Sequence, residues 1–136
     1  MTSEKDVPDR YDIGLEVRRE VLGVEHVDAS LRKASAFTRP VQDLVTEYCW
    51  GAVWGRPGLD RRTRSLINIA MLAALGRGHE LAVHVRGAIA NGATVAEIQE
   101  VLLQTAAYAG FPAALEAFRI TERALGELGK DLTHDG

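Results

Sequence analysis

One segment, Leu66 to Leu75, constrains the fold more than any other part of the chain. Its residues are apolar on nearly every face of a helix, with Asn68 as the exception, so this helix is expected at the centre of the protein. The segment is too short to span a bilayer, which takes about 20 residues. No stretch of comparable length alternates apolar and polar residues as a half-buried strand would. The sequence therefore predicts an all-α protein.

Capping and helix-breaking residues divide the chain into six or seven helices. Thr94 and Glu97 have the spacing of a capping box, and Gly23 is expected to end the first helix. The predicted helices, in chain order, run from Asp12 to Leu22, Ala29 to Ala36, Thr38 to about Trp54, Asp60 to Leu75, His79 to Ala90, Thr94 to Ala109 and Pro112 to about Leu128. Residues 1–136 are predicted to form one domain, with flexible tails at 1–9 and 130–136.

Charge and cysteine content exclude several classes of protein. The net charge is −3, whereas a sequence-independent nucleic-acid surface needs a broad basic stripe. The polar N-terminus lacks the apolar core of a signal peptide. Cys49 is the single cysteine, which excludes an internal disulfide and a cysteine-rich zinc site. We therefore expect a cytoplasmic protein that binds neither nucleic acid nor membrane.

Chain length favours self-association. A chain of 136 residues buries one modest core, and a pocket roomy enough for a substrate removes packing from that core. Burial of surface against further copies would compensate for the lost packing. A homo-oligomer is therefore expected.

Arginine dominates the positive charge and points to anionic ligands. Thirteen of the 16 basic residues are arginine, and Arg61, Arg62 and Arg64 lie in the first turn of the most apolar predicted helix. A cation there opposes the helix macrodipole by about 0.3–1 kcal/mol. A bound carboxylate would remove that conflict, so Arg61 and Arg64 are candidate substrate-binding residues. The alternative is that these arginines pair with acidic residues across a fold or subunit contact.

Glu80 and His84 are candidates for acid–base chemistry. They are four residues apart, so they share one face of a predicted helix and can touch. A carboxylate in this position can fix the imidazole tautomer and raise the pKa of the ring, which makes a usable general acid. The alternative is an ordinary surface ion pair on an amphipathic helix.

Several aromatic and basic residues are further candidates for substrate binding. Trp50 and Trp54 are spaced to share a helix face and are followed by Arg56 at a Gly/Pro turn. These rings could wall a pocket, although such residues also serve as core or interface. Tyr108, near a predicted helix junction, could likewise line a pocket or have a structural role.

Two more candidates precede them in the chain. His26 is expected in a connector, where a histidine has few packing reasons to occur, and Arg18 lies shortly before it. The four histidines form no recognisable ligand spacing, so no metal is expected.

At these residues the chain resembles the γ-carboxymuconolactone decarboxylase family of the AhpD-like superfamily. The resemblance covers about residues 11–126. The segments that carry it are Val17–Gly23, His26–Asp28, Trp50–Leu59, Arg61–Ser65, His84–Ala88, Asn91–Gly92 and Tyr108–Leu115. Related disulfide reductases of the superfamily have a CxxC pair where this chain has Arg77 and Glu80, so thiol chemistry is excluded here.

The resemblance implies a fold, an assembly and a reaction. The implied fold is AhpD-like and all-α, assembled as a homohexamer or trimer of dimers. The implied reaction converts γ-carboxymuconolactone to β-ketoadipate enol-lactone in the protocatechuate branch of the β-ketoadipate pathway of aromatic catabolism. No cofactor is expected, because the substrate can delocalise the released electrons onto its own lactone carbonyl.

Charge placement and the matched motifs together make His84, Glu80 and Arg64 the predicted catalytic residues. Which arginine holds which carboxylate, and whether one subunit or two form the site, stays open. The alternatives are another small-acid decarboxylase or lactone-processing enzyme of the superfamily, and a non-catalytic helical assembly module.

Overall fold

A computed structural model describes residues 9–133 of the chain. Within that range it contains no strand and seven α-helices: α1 (Arg10–Leu22), α2 (Val24–Lys33), α3 (Arg39–Leu44), α4 (Arg61–Leu75), α5 (Gly78–Ala90), α6 (Val95–Ala109) and α7 (Phe111–Glu127). A π-helical segment, Val45–Trp54, continues α3 directly. The all-α prediction is confirmed for this range, whereas residues 1–8 of the predicted N-terminal tail and residues 134–136 of the predicted C-terminal tail, including His134, lie outside it.

The chain divides between Leu59 and Asp60 into two compact units. Unit 1 contains α1 to α3 with the π-helical segment, and unit 2 contains α4 to α7. The single-domain organisation expected for residues 1–136 stays a prediction. No helix in the described part of the chain combines the length and the apolar character that a bilayer crossing requires.

In unit 1, two glycines let α1 and the π-helical segment approach closely. A Cβ atom on Gly14 would overlap the carbonyl oxygen of Thr46, and a Cβ atom on Gly51 would lie 2.5 Å from the carbonyl oxygen of Arg10. Backbone therefore packs on backbone at this crossing. Any larger residue would push the two elements apart.

The core of unit 1 lies beside this crossing. Trp50 and Trp54 are 3% and 5% exposed and pack with Val17 and Val21 of α1. Their ring centroids are 4.7 Å apart with an interplanar angle of 28°, which is a stacked arrangement.

Unit 2 is built on helices whose ends match the sequence predictions. Asp60 caps α4 by accepting a 2.7 Å hydrogen bond from the backbone N–H of Thr63, and Thr94 and Glu97 form the predicted capping box of α6. The buried core consists chiefly of aliphatic residues from all four helices: Ile69, Ala73, Leu81, Val85, Ala88, Ile98, Leu102, Ala117, Ala124 and Leu125.

The predicted central position of α4 is only partly correct. One face, with Ser65, Ile69 and Ala73, is buried, whereas Ile67, Met71 and Leu75 are exposed. α4 packs against α5, α6 and α7 through its buried face, so these helices leave the apolar residues of the opposite face uncovered. Leu115 of α7 and Leu128, directly after that helix, are also exposed.

Two predictions near the N-terminus are wrong in detail. The first helix begins at Arg10 rather than Asp12, because Asp9 caps it: its carboxylate accepts a 3.0 Å hydrogen bond from the backbone N–H of Tyr11. The second helix begins at Val24 rather than Ala29, so His26 is helical and not in a connector. The break between α1 and α2 is a single residue, Gly23, with φ of 94°.

Candidate active site

The first turn of α4 contains one arginine with a structural ion pair and two arginines that remain candidates for substrate binding. Arg62 forms an ion pair with Glu97 of α6, which is the alternative that the sequence left open for this group. Arg61 and Arg64 are half-buried. Hydrogen bonds from Thr63, chiefly that of its backbone N–H, hold the pKa of Asp60 below its usual value, so an anion at the helix start partly offsets these cations.

His84 on α5 faces α4 at Asn68. The Asn68 amide nitrogen lies 3.5 Å from Nδ1 of the half-buried His84 ring. An amide can donate to a bare Nδ1, or accept from a protonated Nδ1–H once it turns its oxygen to the ring. Asn68 can therefore orient both the neutral and the charged imidazole ring.

Arg64 lies one helical turn before Asn68 on the same face of α4. Residues four apart on a helix have Cβ atoms about 5–6 Å apart, so Arg64 and His84 are neighbours through Asn68. Two predicted site residues, distant in sequence, thus both lie next to Asn68 in unit 2. Asn68 was not among the candidates predicted from the sequence, although a lone polar residue in an apolar helix was a usable signal.

Glu80 has a less direct relation to His84 than predicted. It is exposed in the first turn of α5, one turn before His84, and the described residues include no ion pair between the two. The hydrogen-bonding neighbour that the structure gives the imidazole Nδ1 is Asn68. The catalytic role of Glu80 stays a prediction.

The remaining candidates occupy varied environments. Trp50 and Trp54 are core residues of unit 1, with little surface left for a ligand. Arg56 lies in the exposed turn after them, and Tyr108, near the end of α6, is 86% exposed. The burial of Trp50 and Trp54 and the exposure of Tyr108 do not support a role for these rings as walls of a pocket within one chain. That role stays a prediction.

His26 and Arg18 belong to unit 1. His26 is half-buried in α2, and its carbonyl oxygen accepts a 3.0 Å hydrogen bond from the Ser30 hydroxyl. Arg18 on α1 is 7% exposed and donates from Nη1 to the side chains of Gln42 and Thr46, at 3.0 and 3.1 Å. Desolvation lowers the pKa of Arg18 and raises that of the nearby Cys49 thiol.

A separate cleft lies between α5 and α7. It encloses about 590 Å³, and none of the predicted site residues lines it. Its ionisable lining residues are His79, Arg86, Glu116, Arg119, Arg123 and Glu127. Among residues 9–133, no three His, Cys, Asp or Glu side chains are grouped closely enough to hold a metal ion.

Comparison with known proteins gives one family and several named relatives. The model of the carboxymuconolactone decarboxylase family matches residues 39–123. The nitrosuccinic acid decarboxylase npaB of Metarhizium robertsii is 46% identical over 118 residues, which cover 87% of this chain and 82% of the relative. The 4-carboxymuconolactone decarboxylase of Acinetobacter baylyi is 47% identical over 120 residues, which cover 88% of this chain and 90% of the relative.

A third, shorter match is also named a decarboxylase. A 4-carboxymuconolactone decarboxylase of Pseudomonas putida is 44% identical over 46 residues, which are 34% of this chain and 96% of the relative. The two longer matches have nearly equal identity but carry different substrate names.

Proposed function

Because the chain belongs to the carboxymuconolactone decarboxylase family, we propose that it decarboxylates a small dicarboxylic acid that carries its own electron acceptor. The enzyme is a carboxy-lyase. The first candidate substrate is 4-carboxymuconolactone, which places the enzyme in protocatechuate catabolism. The observation that carries the proposal is the contact of His84 with Asn68, one turn from Arg64, which sets a proton carrier beside a cation.

The substrates named for the two longer relatives share the chemistry that this proposal requires. 4-Carboxymuconolactone and nitrosuccinic acid each keep a second carboxylate after one is lost. In each, the electron pair of the broken C–C bond can delocalise, onto the lactone carbonyl in the first and onto the nitro group in the second. The protein then needs to supply orientation, electrostatic stabilisation and one proton, and no cofactor is part of the proposal.

A cluster of residues on α4 and α5, Arg61, Arg64, Asn68 and His84, can supply these three elements. Arg64 or Arg61 holds the carboxylate that remains, since a guanidinium matches a carboxylate in charge and shape. The departing carboxylate leaves as CO₂ while its bonding pair moves into the substrate's acceptor. His84 then gives one proton to the carbon next to the lactone carbonyl, and water restores that proton to the ring. Asn68 positions the ring for this transfer.

Glu80 has a supporting place in this proposal. It lies on the same helix as His84 at a spacing that permits pairing, and an imidazolium attracts a carboxylate at that spacing more than a neutral ring does. A pairing formed on protonation would stabilise the charged ring before it gives up its proton.

The decisive experiment supplies both acids to the purified protein and measures CO₂ release. Decarboxylation of 4-carboxymuconolactone with kcat/KM above about 10⁴ M⁻¹s⁻¹ is the expected result, which lies in the usual range for a natural substrate. Nitrosuccinic acid is the second candidate, because the Metarhizium relative matches nearly as well. CO₂ release from neither acid above the level of a His84→Ala variant would overturn the proposal.

Arg64 provides a test of the substrate clamp, which is the arginine that binds the remaining carboxylate of the substrate. Arg64→Met is expected to raise KM about 10- to 150-fold, because a hydrogen bond to a charged group contributes about 1.5–3 kcal/mol. Steady-state kinetics measure this effect. Arg62→Met is the matched control, since Arg62 lies in the same turn but is paired with Glu97, and its KM should stay within about twofold of wild type.

The same assay distinguishes the two candidate arginines. If KM is unchanged in Arg64→Met but raised in Arg61→Met, Arg61 rather than Arg64 binds the substrate carboxylate. Unchanged values in both variants would show that the substrate carboxylate binds elsewhere.

Self-association into a homohexamer is proposed on the exposed apolar face of α4. Ile67, Met71 and Leu75 recur at helical spacing on this face and are between 40% and 68% exposed. A stripe of this kind on a monomer is typical of an interaction surface. Light scattering coupled to size exclusion measures the mass in solution, and a monomer at micromolar concentration would contradict this assembly. A hexamer without decarboxylase activity would favour the assembly-module alternative.

A further inference from the structure

Three arginines line the separate cleft between α5 and α7. Arg86 comes from α5, and Arg119 and Arg123 come from α7. The cleft encloses about 590 Å³, which lies within the range of about 300–1,000 Å³ typical of small-molecule sites. It therefore has room for a ligand beside three guanidinium groups.

The acidic residues of the cleft leave part of this positive charge uncompensated. Arg86 has only a loose ion pair, because its Nη1 is 3.8 Å from Oε2 of Glu127. Arg119 and Arg123 form no ion pair within the described part of the chain. Each of them nevertheless has a glutamate three or four residues away on α7, a spacing that permits pairing. Three arginines against two glutamates give the cleft a net charge of +1.

The spacing of Arg119 and Arg123 favours a bound anion. They lie four residues apart on α7, where two like charges destabilise a helix. An anion between them would replace this repulsion by attraction to both. Guanidinium groups bind carboxylate and phosphate alike, but a phosphate monoester has three terminal oxygens and a charge near −2. It can therefore bind three guanidinium groups at once, whereas a carboxylate has only two oxygens.

The cleft also has an apolar part. Ala82 of α5 and Ile120 and Ala124 of α7 line it together with the arginines. Gly78 lets the two helices approach each other, because a Cβ atom there would lie 2.8 Å from Cδ1 of Ile120. The apolar surface between the charged groups suits the organic part of a phosphate ester.

The cleft lies on the side of α5 opposite to the proposed catalytic histidine. Ala82 and Arg86 line the cleft, whereas His84, midway between them in sequence, faces Asn68 of α4. Residues two apart on an α-helix point about 200° away from each other. A ligand in the cleft would therefore leave the proposed site of decarboxylation free.

We propose that the cleft between α5 and α7 binds a small phosphate monoester through the guanidinium groups of Arg86, Arg119 and Arg123. The phosphate supplies the missing negative charge, and the organic part of the ester contacts the apolar surface of the cleft. This site concerns binding in unit 2 alone and does not rest on the proposed decarboxylation. The competing explanation is that acidic residues of a second copy pair with these arginines.

Phenyl phosphate tests this site, because it combines a phosphate monoester with a small apolar group. Isothermal titration calorimetry at constant ionic strength should give a Kd below about 1 mM. Benzoate has the same ring but a single carboxylate, so it should bind at least about tenfold more weakly. Absence of phenyl phosphate binding up to about 10 mM, or equal affinity for benzoate, would overturn the proposal.

Arg119→Met is expected to weaken phenyl phosphate binding at least about tenfold, because it removes hydrogen bonds to a charged group. Arg119→Lys should weaken binding less, since lysine keeps the charge but lacks the planar fork. Arg62→Met is the matched control, because Arg62 belongs to unit 2 but lies outside the cleft and is paired with Glu97. Its Kd should stay within about twofold of wild type. Arg123→Met repeats the test from a second position, so a folding defect in one variant does not decide the outcome.

Two further measurements separate this site from its alternatives. Arg64→Met should bind phenyl phosphate as the wild type does. Loss of binding in Arg64→Met, with binding intact in Arg119→Met, would place the phosphate beside α4 and overturn the proposal. Light scattering should give Arg119→Met the same mass as wild type. A smaller mass for this variant, together with no phenyl phosphate binding by the wild type, would show that the cleft is a contact between copies.

Discussion

His84→Ala is expected to reduce kcat for the decarboxylation by about 10²–10⁴-fold, which is the usual contribution of a positioned acid or base. The physical reason is that the carbon left by CO₂ must take up a proton inside the site, and the ring of His84 is held for this by Asn68. KM should change much less, since the proposed clamp is Arg64 or Arg61. Steady-state kinetics on the preferred substrate measure both quantities.

His79→Ala is the matched control for this variant. His79 is on the same helix, α5, but is exposed and lines the separate cleft between α5 and α7. Its kcat should stay within about twofold of wild type. Since His84 is half-buried, circular dichroism must first show that His84→Ala keeps its helical content. A folded His84→Ala enzyme with kcat within threefold of wild type would remove His84 from the proposed mechanism.

Gly14→Ala is expected to lower the free energy of unfolding of unit 1 by about 3 kcal/mol, and its Tm by about 10 °C. The added Cβ would overlap the carbonyl oxygen of Thr46 and lie 2.9 Å from the backbone nitrogen of Gly51. Both obstacles are backbone atoms, so no side chain can rotate away to make room. The crossing of α1 with the π-helical segment must open instead, which disturbs the packing of Val17 and Val21.

The chain provides its own probe for this effect. Both of its tryptophans, Trp50 and Trp54, lie in the core of unit 1, so thermal melts followed by tryptophan fluorescence report on that unit. Gly126→Ala is the control, because a Cβ atom there meets nothing within 4 Å and alanine favours the helix by about 0.5–1 kcal/mol. Its Tm should rise slightly. A Gly14→Ala melt within about 2 °C of wild type would contradict the close crossing.

The helices of unit 2 were largely predictable because their ends are encoded locally. Asp60, the Thr94–Glu97 capping box and the glycines that end helices act through neighbouring backbone groups, so their spacing in the sequence is sufficient. The start of the second helix was missed because Gly23 ends one helix and begins the next without a connector. A single residue at a positive φ gives no signal of how short the break is.

The candidate site was predictable in its residue types but not in its contacts. The charge of Arg64 at the start of an apolar helix and the imidazole of His84 stood out in the sequence. The partner of His84 did not, because the sequence offered Glu80 on the same helix, whereas the structure gives Asn68 on the helix packed beside it. Spacing along one helix predicts neighbours on that helix, and it does not predict which residue of another helix comes closest.

By itself, the sequence determined the all-helical class and most helix ends in the described part of the chain, along with a surplus of guanidinium groups. These properties follow from periodicity, capping and side-chain chemistry, which act over a few residues. The tertiary structure decided which face of α4 is buried, that Trp50 and Trp54 fill a core, and that Arg18 is buried between neutral groups. Burial and charge compensation depend on residues brought together from distant positions, and only packing selects them.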